Sequence, residues 1–247
     1  MSRILTMIFA IAAYAIFFAT FLYLIVFVGD FSFASLTVDQ GPGGDPKVAA
    51  LIDAGLIALF GVQHSVMARP GFKRWWTQVV APSAERSIYV LTASAALIIM
   101  FLLWRPIDIT IWNVTSPLFS DLIWAVFWIG WLTVLVSTFL MNHFELFGLQ
   151  QAWFHMRGRD DSQAPQFRTP SLYRVVRHPM MAGFFLALWA APQMTAGHLL
   201  LAAGMSAYIL IALHHEERDL VGLFGADYEN YRRRVGMLTP RFRRRSA

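Results

Sequence analysis

The chain has 247 residues, of which 57% are hydrophobic and only 14% charged, and its mean hydropathy is +0.52. Soluble domains are about 45–50% apolar, so the composition excludes a water-soluble globule and gives an integral membrane protein of one domain or at most two. The absence of cysteine excludes disulfides, thiolate metal sites and a cysteine nucleophile, and the net charge of +5 sits in loops and at the C-terminus, as in cytoplasmic loops rather than a nucleic-acid binder.

The N-terminal apolar run, Ile4 to Val28, is too long for a signal-peptide core and is followed by no small-residue cleavage pattern. It predicts a retained transmembrane helix. Further spans are predicted at 48–67, 87–104 and 118–141, with QGPGGDPK (40–47) as a flexible outer connection. The stretch 179–213 is too long for one ordinary span, and APQMTAGH (191–198) carries Pro192 and Gly197. A tight helical hairpin follows, with arms at 180–192 and 197–214; the first arm is short, and five full spans are the alternative. From residue 215 the chain leaves the membrane. Leu220, Leu223 and Phe224 share one helical face, Gly225 ends that helix, and ADYENYRRRV reads as a second short amphipathic helix. The fold class is therefore all-α integral membrane, with five to six transmembrane helices, a C-terminal helical hairpin and an amphipathic cytoplasmic tail. It is a single domain over 1–247: four spans in 1–141, a cytoplasmic connector in 142–178, and the hairpin and tail in 179–247.

Charge asymmetry sets the orientation. The 29–47 loop carries Asp30, Asp39 and Asp45 against Lys47. Arg69, Lys73, Arg74, Arg86, Arg157, Arg159, Arg168, Arg174, Arg177 and the tail arginines, including Arg241, Arg243, Arg244 and Arg245, fall on the other side. An even number of crossings places both termini in the cytoplasm.

Ionisable residues within or beside spans are costly and mark candidate sites. Asp53 lies near the outer end of the second span, where an interfacial carboxylate is the plain reading. Gln63 and His64 lie near its inner end, and Arg69, Lys73, Trp75 and Trp76 read as interfacial anchors. His143 and Glu145 stand where the fourth span ends, in a loop kept apolar by Phe144, Phe147, Trp153 and Phe154. The densest cluster is ALHHEERDL, with His214, His215, Glu216, Glu217, Arg218 and Asp219. It lacks HExxH and any known ligand spacing, so no metal is expected. VVRHPMMAGFF (175–185) puts Arg177, His178 and Pro179 directly before the hairpin. If the hairpin forms, these residues and the His214–Asp219 cluster return to the same membrane face. A lipid anchor needs no carboxylates there, whereas a site for a charged, partly apolar ligand does.

RHPMMAG (177–183) followed by EERDLVGLFGADYENYRRRV (216–235) resembles the C-terminal signature of membrane methyltransferases, the group of isoprenylcysteine carboxyl methyltransferases and phospholipid N-methyltransferases. HSVMARPGFKRWW, ERSIYVLTASAALIIMFLLWRPI and NHFELFGLQQ extend the resemblance over most of the chain to the branch of bacterial methanethiol S-methyltransferases, with NnrU-like proteins as more distant relatives. The family tyrosine of RHPxYxG is Met181 here.

The resemblance implies S-adenosylmethionine as methyl donor and 179–247 as the cofactor-binding part. Arg174 and Arg177 are expected to hold its carboxylate, Glu216 and Glu217 its ammonium or ribose hydroxyls. His178, Pro179 and Gly183 match the first motif, with Gly183 allowing close backbone approach and Met181 lining an apolar wall. A thiol acceptor must become a thiolate, and the candidate bases are His215, favoured for its nearness to Glu217, then His143, Glu145, His64 and Asp219. The expected reaction turns methanethiol into dimethyl sulfide at the bacterial inner membrane, with no protein partner and no nucleic acid. The alternatives are methylation of a prenylcysteine carboxylate, a lipid amine or a larger thiol, or a non-catalytic NnrU-like membrane protein.

Overall fold

The computed structural model describes residues 2–159 and 167–241; Arg243, Arg244 and Arg245 lie outside that range. Among the described residues, five helices are long and apolar enough to cross a membrane: α1 (Arg3–Gly29), α2 (Pro46–Ala68), α4 (Pro82–Leu103), α5 (Pro117–Leu140) and α9 (Ala196–Phe224). Shorter helices are α3 (Pro70–Trp76), α6 (His143–Leu146), α7 (Leu149–Arg157), α8 (Pro179–Trp189) and α10 (Ala226–Arg234). The sequence writes the starts plainly. α2, α3, α4, α5 and α8 each begin on a proline, whose fixed φ suits the first helical turn and whose missing N–H is not needed there. Asp45 caps α2, accepting from the N–H groups of Lys47 (2.9 Å) and Val48 (3.1 Å).

α4 packs between α1 and α2, α9 packs on α2 and α8, and α8 packs on α5. The core joins these helices through Phe27, Met100, Trp104, Phe127, Trp131 and Leu201. The α5–α8 contact is the tightest. A Cβ on Gly183 would lie 2.7 Å from the Gly130 carbonyl oxygen and 2.9 Å from the Val134 nitrogen. Glycine at both positions lets the two backbones touch. Gly183 thus serves helix packing.

The predicted hairpin forms with one addition. α8 has 11 residues, about 16 Å at 1.5 Å per residue, well short of a roughly 30 Å hydrocarbon core. The chain continues in an extended conformation, and β2 (Gln193–Thr195) pairs antiparallel with β1 (Thr110–Asn113), opposing Thr110 to Thr195 and Trp112 to Met194. Neither strand was expected. Their pairing satisfies backbone groups that a helix would have satisfied internally. The same end of the bundle holds Asp53, fully buried, accepting the Arg105 N–H at 2.9 Å, and Asp39, whose carboxyl is raised to about 6 chiefly by burial, against the lowering hydrogen bond from Thr195.

The second arm runs to Phe224 rather than 214, so the His214–Asp219 cluster lies on a continuous helix. Gly225, in a left-handed region at φ 54°, ends it, and α10 follows.

Candidate active site

Two polar segments meet where α8 begins and α9 leaves the bundle. Before His178 the chain runs beside the end of the tail. Val176 bridges Gly236 in parallel, the Arg177 N–H donates to the Gly236 carbonyl (2.8 Å) and the His178 N–H to that of Met237 (3.1 Å). The tail therefore clamps the first motif against the second.

Glu217, buried on α9, is the hub. Its Oε1 accepts from Arg177 Nε at 2.7 Å, pairs with His178 Nε2 at 3.2 Å and accepts the Tyr228 hydroxyl at 3.5 Å. Arg232 Nη1 stands 3.9 Å from its Oε2. Arg177 Nη1 also donates to the carbonyls of Arg232 (3.1 Å) and Val235 (2.5 Å), which leaves Nη2 for a ligand. Burial first, then the charge of Glu217, pushes the Tyr228 phenol above its usual range, so it stays protonated and donates. Tyr231, raised to about 12 chiefly by burial, donates to the Tyr173 carbonyl at 2.5 Å.

Glu216 differs from its neighbour. Its side chain is 51% exposed, with Oε2 3.9 Å from His178 Nδ1. Its charge reaches the Tyr173 phenol, itself raised mainly by burial, and lies within electrostatic reach of the Tyr89 and Tyr208 hydroxyls. A half-exposed carboxylate facing phenols and an imidazole is arranged to meet a ligand's cation or hydroxyls.

The other predicted residues are distributed as follows. Arg174 is exposed on a 3-10 turn (Ser171–Arg174), its Nε donating to the Thr169 carbonyl at 3.3 Å. Pro179 is buried at the first position of α8, and Met181 is half-buried two residues on. Asp219 is exposed and pairs with Arg69 at 3.5 Å, tying α9 to α2. The His215 ring contacts His214 edge-on, centroids 5.5 Å apart. His143 is buried with both ring nitrogens engaged, by the Tyr14 hydroxyl (2.8 Å) and by Thr138 Oγ1 (2.9 Å), and it stacks on Phe139 at 4.3 Å. Burial lowers its pKa, so the ring is neutral. Glu145 is exposed and accepts from Asn142 Nδ2 at 2.9 Å. Among the described residues, no contact links His143 or Glu145 to the Glu217 cluster, and no three histidines and carboxylates converge as a metal site.

Arg177, His178, Glu216 and Glu217 thus come together, while the other candidates do not join them in one cluster. Tyr228, Tyr231 and Arg232, around Glu217, were given no role from sequence. The i, i+3 spacing of the two tyrosines, which puts them on one face of α10, was the available signal. Two cavities lie at the opposite end of the bundle: an apolar groove of about 780 Å³ between α5 and α8, walled by Trp112, Phe119 and Trp189, and a pocket of about 180 Å³ lined by Asp30, Asp39 and His198. Neither touches the polar cluster.

Residues 53–243 match the NnrU protein family. The chain is 50% identical over 240 residues to Methanethiol S-methyltransferase of Mycobacterium tuberculosis, covering 97% of this chain and 98% of that protein. It is 49% identical over 240 residues to Methanethiol S-methyltransferase 2 of Bradyrhizobium diazoefficiens, covering 97% and 92%. Nurim of Danio rerio is 28% identical over 203 residues, covering 75% and 74%. No solved structure matches the chain.

Proposed function

The chain belongs to the NnrU protein family, and from that premise we propose that it is a membrane methyltransferase that methylates the sulfur of methanethiol, giving dimethyl sulfide. The observation that carries this reading is near-full-length likeness, at about half identity, to relatives that bear that name. The geometry supports it with a charged cluster at one end of an apolar bundle, where a polar donor from water meets a small apolar acceptor from the bilayer.

We assign S-adenosylmethionine as the donor; when bound it supplies a methyl group on a sulfonium, which is already activated for displacement. The residues present fit a zwitterionic, cationic group. Glu216 is half-exposed beside His178, and Arg177 keeps Nη2 for a carboxylate while Glu217 fixes its orientation. Arg174, exposed nearby, adds a second guanidinium. Met181 contributes apolar surface in place of the family tyrosine, and Tyr173 supplies a phenol close to Glu216. Much of the rate enhancement then comes from positioning. The arginine-rich loops support a bacterial inner-membrane protein with both termini cytoplasmic, a reading in which α8 and the extended 190–195 segment together make the crossing that returns the chain.

The test is to incubate detergent-purified protein with methanethiol and methyl-labelled S-adenosylmethionine and to analyse the headspace gas. Labelled dimethyl sulfide is expected. Label in a prenylcysteine or an amine lipid without volatile sulfide would replace the acceptor, and no transferred label at all would leave a non-catalytic member of the family.

A further inference from the structure

His64 lies on α2, deeper in the bundle than the polar cluster, and its ring is enclosed by three aromatic side chains from three helices. The ring centroids stand 5.2 Å from Phe60, 5.0 Å from Tyr89 on α4 and 6.2 Å from Tyr208 on α9. Gly61 makes the room: a Cβ there would lie 2.9 Å from Tyr208 Cδ2. Within this box, and among the described residues, Nδ1 of His64 is buried without a hydrogen-bond partner. A buried nitrogen without a partner costs roughly 1–3 kcal/mol, and such a group calls for an explanation, a ligand among them.

The box also has the right position. Tyr208 and Glu216 are eight residues apart on one helix, about 12 Å along its axis, and share a face. The Glu216 carboxylate lies within electrostatic reach of both Tyr89 and Tyr208. The His64 box and the charged cluster are therefore neighbours along α9, with the charged part nearer the end where that helix leaves the bundle.

We propose that this box is the acceptor-thiol subsite, with His64 as the base that takes the thiol proton; the proposal rests on the methyltransferase reading above. The smallest thiol has one methyl group and one S–H. Aromatic faces suit the methyl and the polarizable sulfur, and an unpartnered imidazole nitrogen accepts the S–H. The S–H bond breaks, the proton passes to the imidazole, and the sulfur keeps the electron pair that forms the new S–C bond. The donor's old C–S bond breaks with its pair returning to the donor sulfur, and the imidazolium then releases its proton to water. Three of the other candidate bases are less suited, while His215, among the described residues, has a ring contact with His214 and none with the aromatic box. Both nitrogens of His143 are occupied, Asp219 is paired with Arg69, and Glu145 is exposed on a short helix after α5.

Two readouts test this on the full-length protein. First, His64→Ala and His64→Gln should bind S-adenosylhomocysteine within about threefold of wild type by calorimetry. Their turnover of methanethiol should fall about 100-fold or more, the scale of a lost general base, and added imidazole should restore part of the Ala variant's activity. Second, with S-adenosylhomocysteine bound to wild-type protein, ethanethiol should protect His64 from carbethoxylation by diethyl pyrocarbonate, read by mass spectrometry. Turnover within threefold of wild type, cofactor-product binding lost in a folded variant, or absence of thiol protection would each overturn the proposal. If the variants do not fold, the protection experiment decides alone. Thiol protection in a protein that makes no dimethyl sulfide would uphold the subsite while sinking the methanethiol reading, so the two failures are distinguishable.

Discussion

The Arg177–Glu217 pair offers a quantitative test of how the polar cluster is held. The two side chains are 9% and 11% exposed, with Nε and Oε1 2.7 Å apart. At an effective dielectric constant near 20, unit charges about 4 Å apart attract by about 4 kcal/mol, and removing one partner of such a pair costs about 3–5 kcal/mol because the other charge stays buried. Each residue also has private bonds: Glu217 with His178 and Tyr228, Arg177 with the Arg232 and Val235 carbonyls. Arg177→Ala and Glu217→Ala should therefore each destabilise by about 3–5 kcal/mol, and the double variant by only slightly more than either, a coupling of about 2–4 kcal/mol. Unfolding in mixed micelles of dodecyl maltoside and sodium dodecyl sulfate, followed by circular dichroism, measures all four corners of the cycle. Arg177→Lys should recover only part of the loss, because an ammonium cannot serve the carboxylate and two carbonyls at fixed angles. Additivity within about 0.5 kcal/mol would refute the claim that these residues act as a unit.

Other consequences are open to direct measurement. Asp39 has a folded pKa near 6, above its unfolded value of about 3.9, so the folded state holds the extra proton between them; its contribution should make stability fall as pH rises from about 4 to about 6. Asp39→Asn should flatten that slope in detergent melting curves, and an unchanged slope would assign it to other groups. Gly183→Ala drives a Cβ into the Gly130 carbonyl and the Val134 nitrogen and should cost about 1–3 kcal/mol, the scale of overpacking; unaltered unfolding would mean that α5 and α8 separate freely. Reporter fusions at residue 43 and at the C-terminus should report outside and inside respectively; the exchanged result would reverse the orientation drawn from the arginine-rich loops, and the same side for both would mean that α8 and the 190–195 segment do not cross.

The helices were legible because their signals are local. Long apolar runs, prolines at five helix starts and Gly225 at the end of α9 each act on their own neighbourhood. The strand pair was not legible. Thr110–Asn113 and Gln193–Thr195 are about eighty residues apart, and neither segment has strand periodicity. Only the shortness of α8, which leaves backbone groups to satisfy beyond Trp189, requires a partner there. Gly183 shows the same limit: its place in the motif suggested approach to a cofactor, whereas its nearest neighbour is the backbone of another helix.

The charged part of the site could be read because charge inside a membrane segment is conspicuous, and because Arg177–His178 and Glu216–Glu217 flank one hairpin. The sequence could not say that Arg177 and Glu217 bind each other, since that depends on the depth to which each is buried. It could also not rank the histidines. His143 and His64 look alike in sequence, each near the end of a span on the arginine-rich side with an aromatic residue within four positions. Packing separates them: Tyr14 and Thr138 occupy both nitrogens of one, while Phe60, Tyr89 and Tyr208 surround the other with rings and, among the described residues, leave its Nδ1 without a partner. An aromatic residue on an apolar helix signals burial wherever it faces, so three of them converging from different helices leaves no local trace. The informative quantity is the unmet hydrogen bond, which exists only once the helices are assembled and which a small thiol entering from the bilayer is suited to fill.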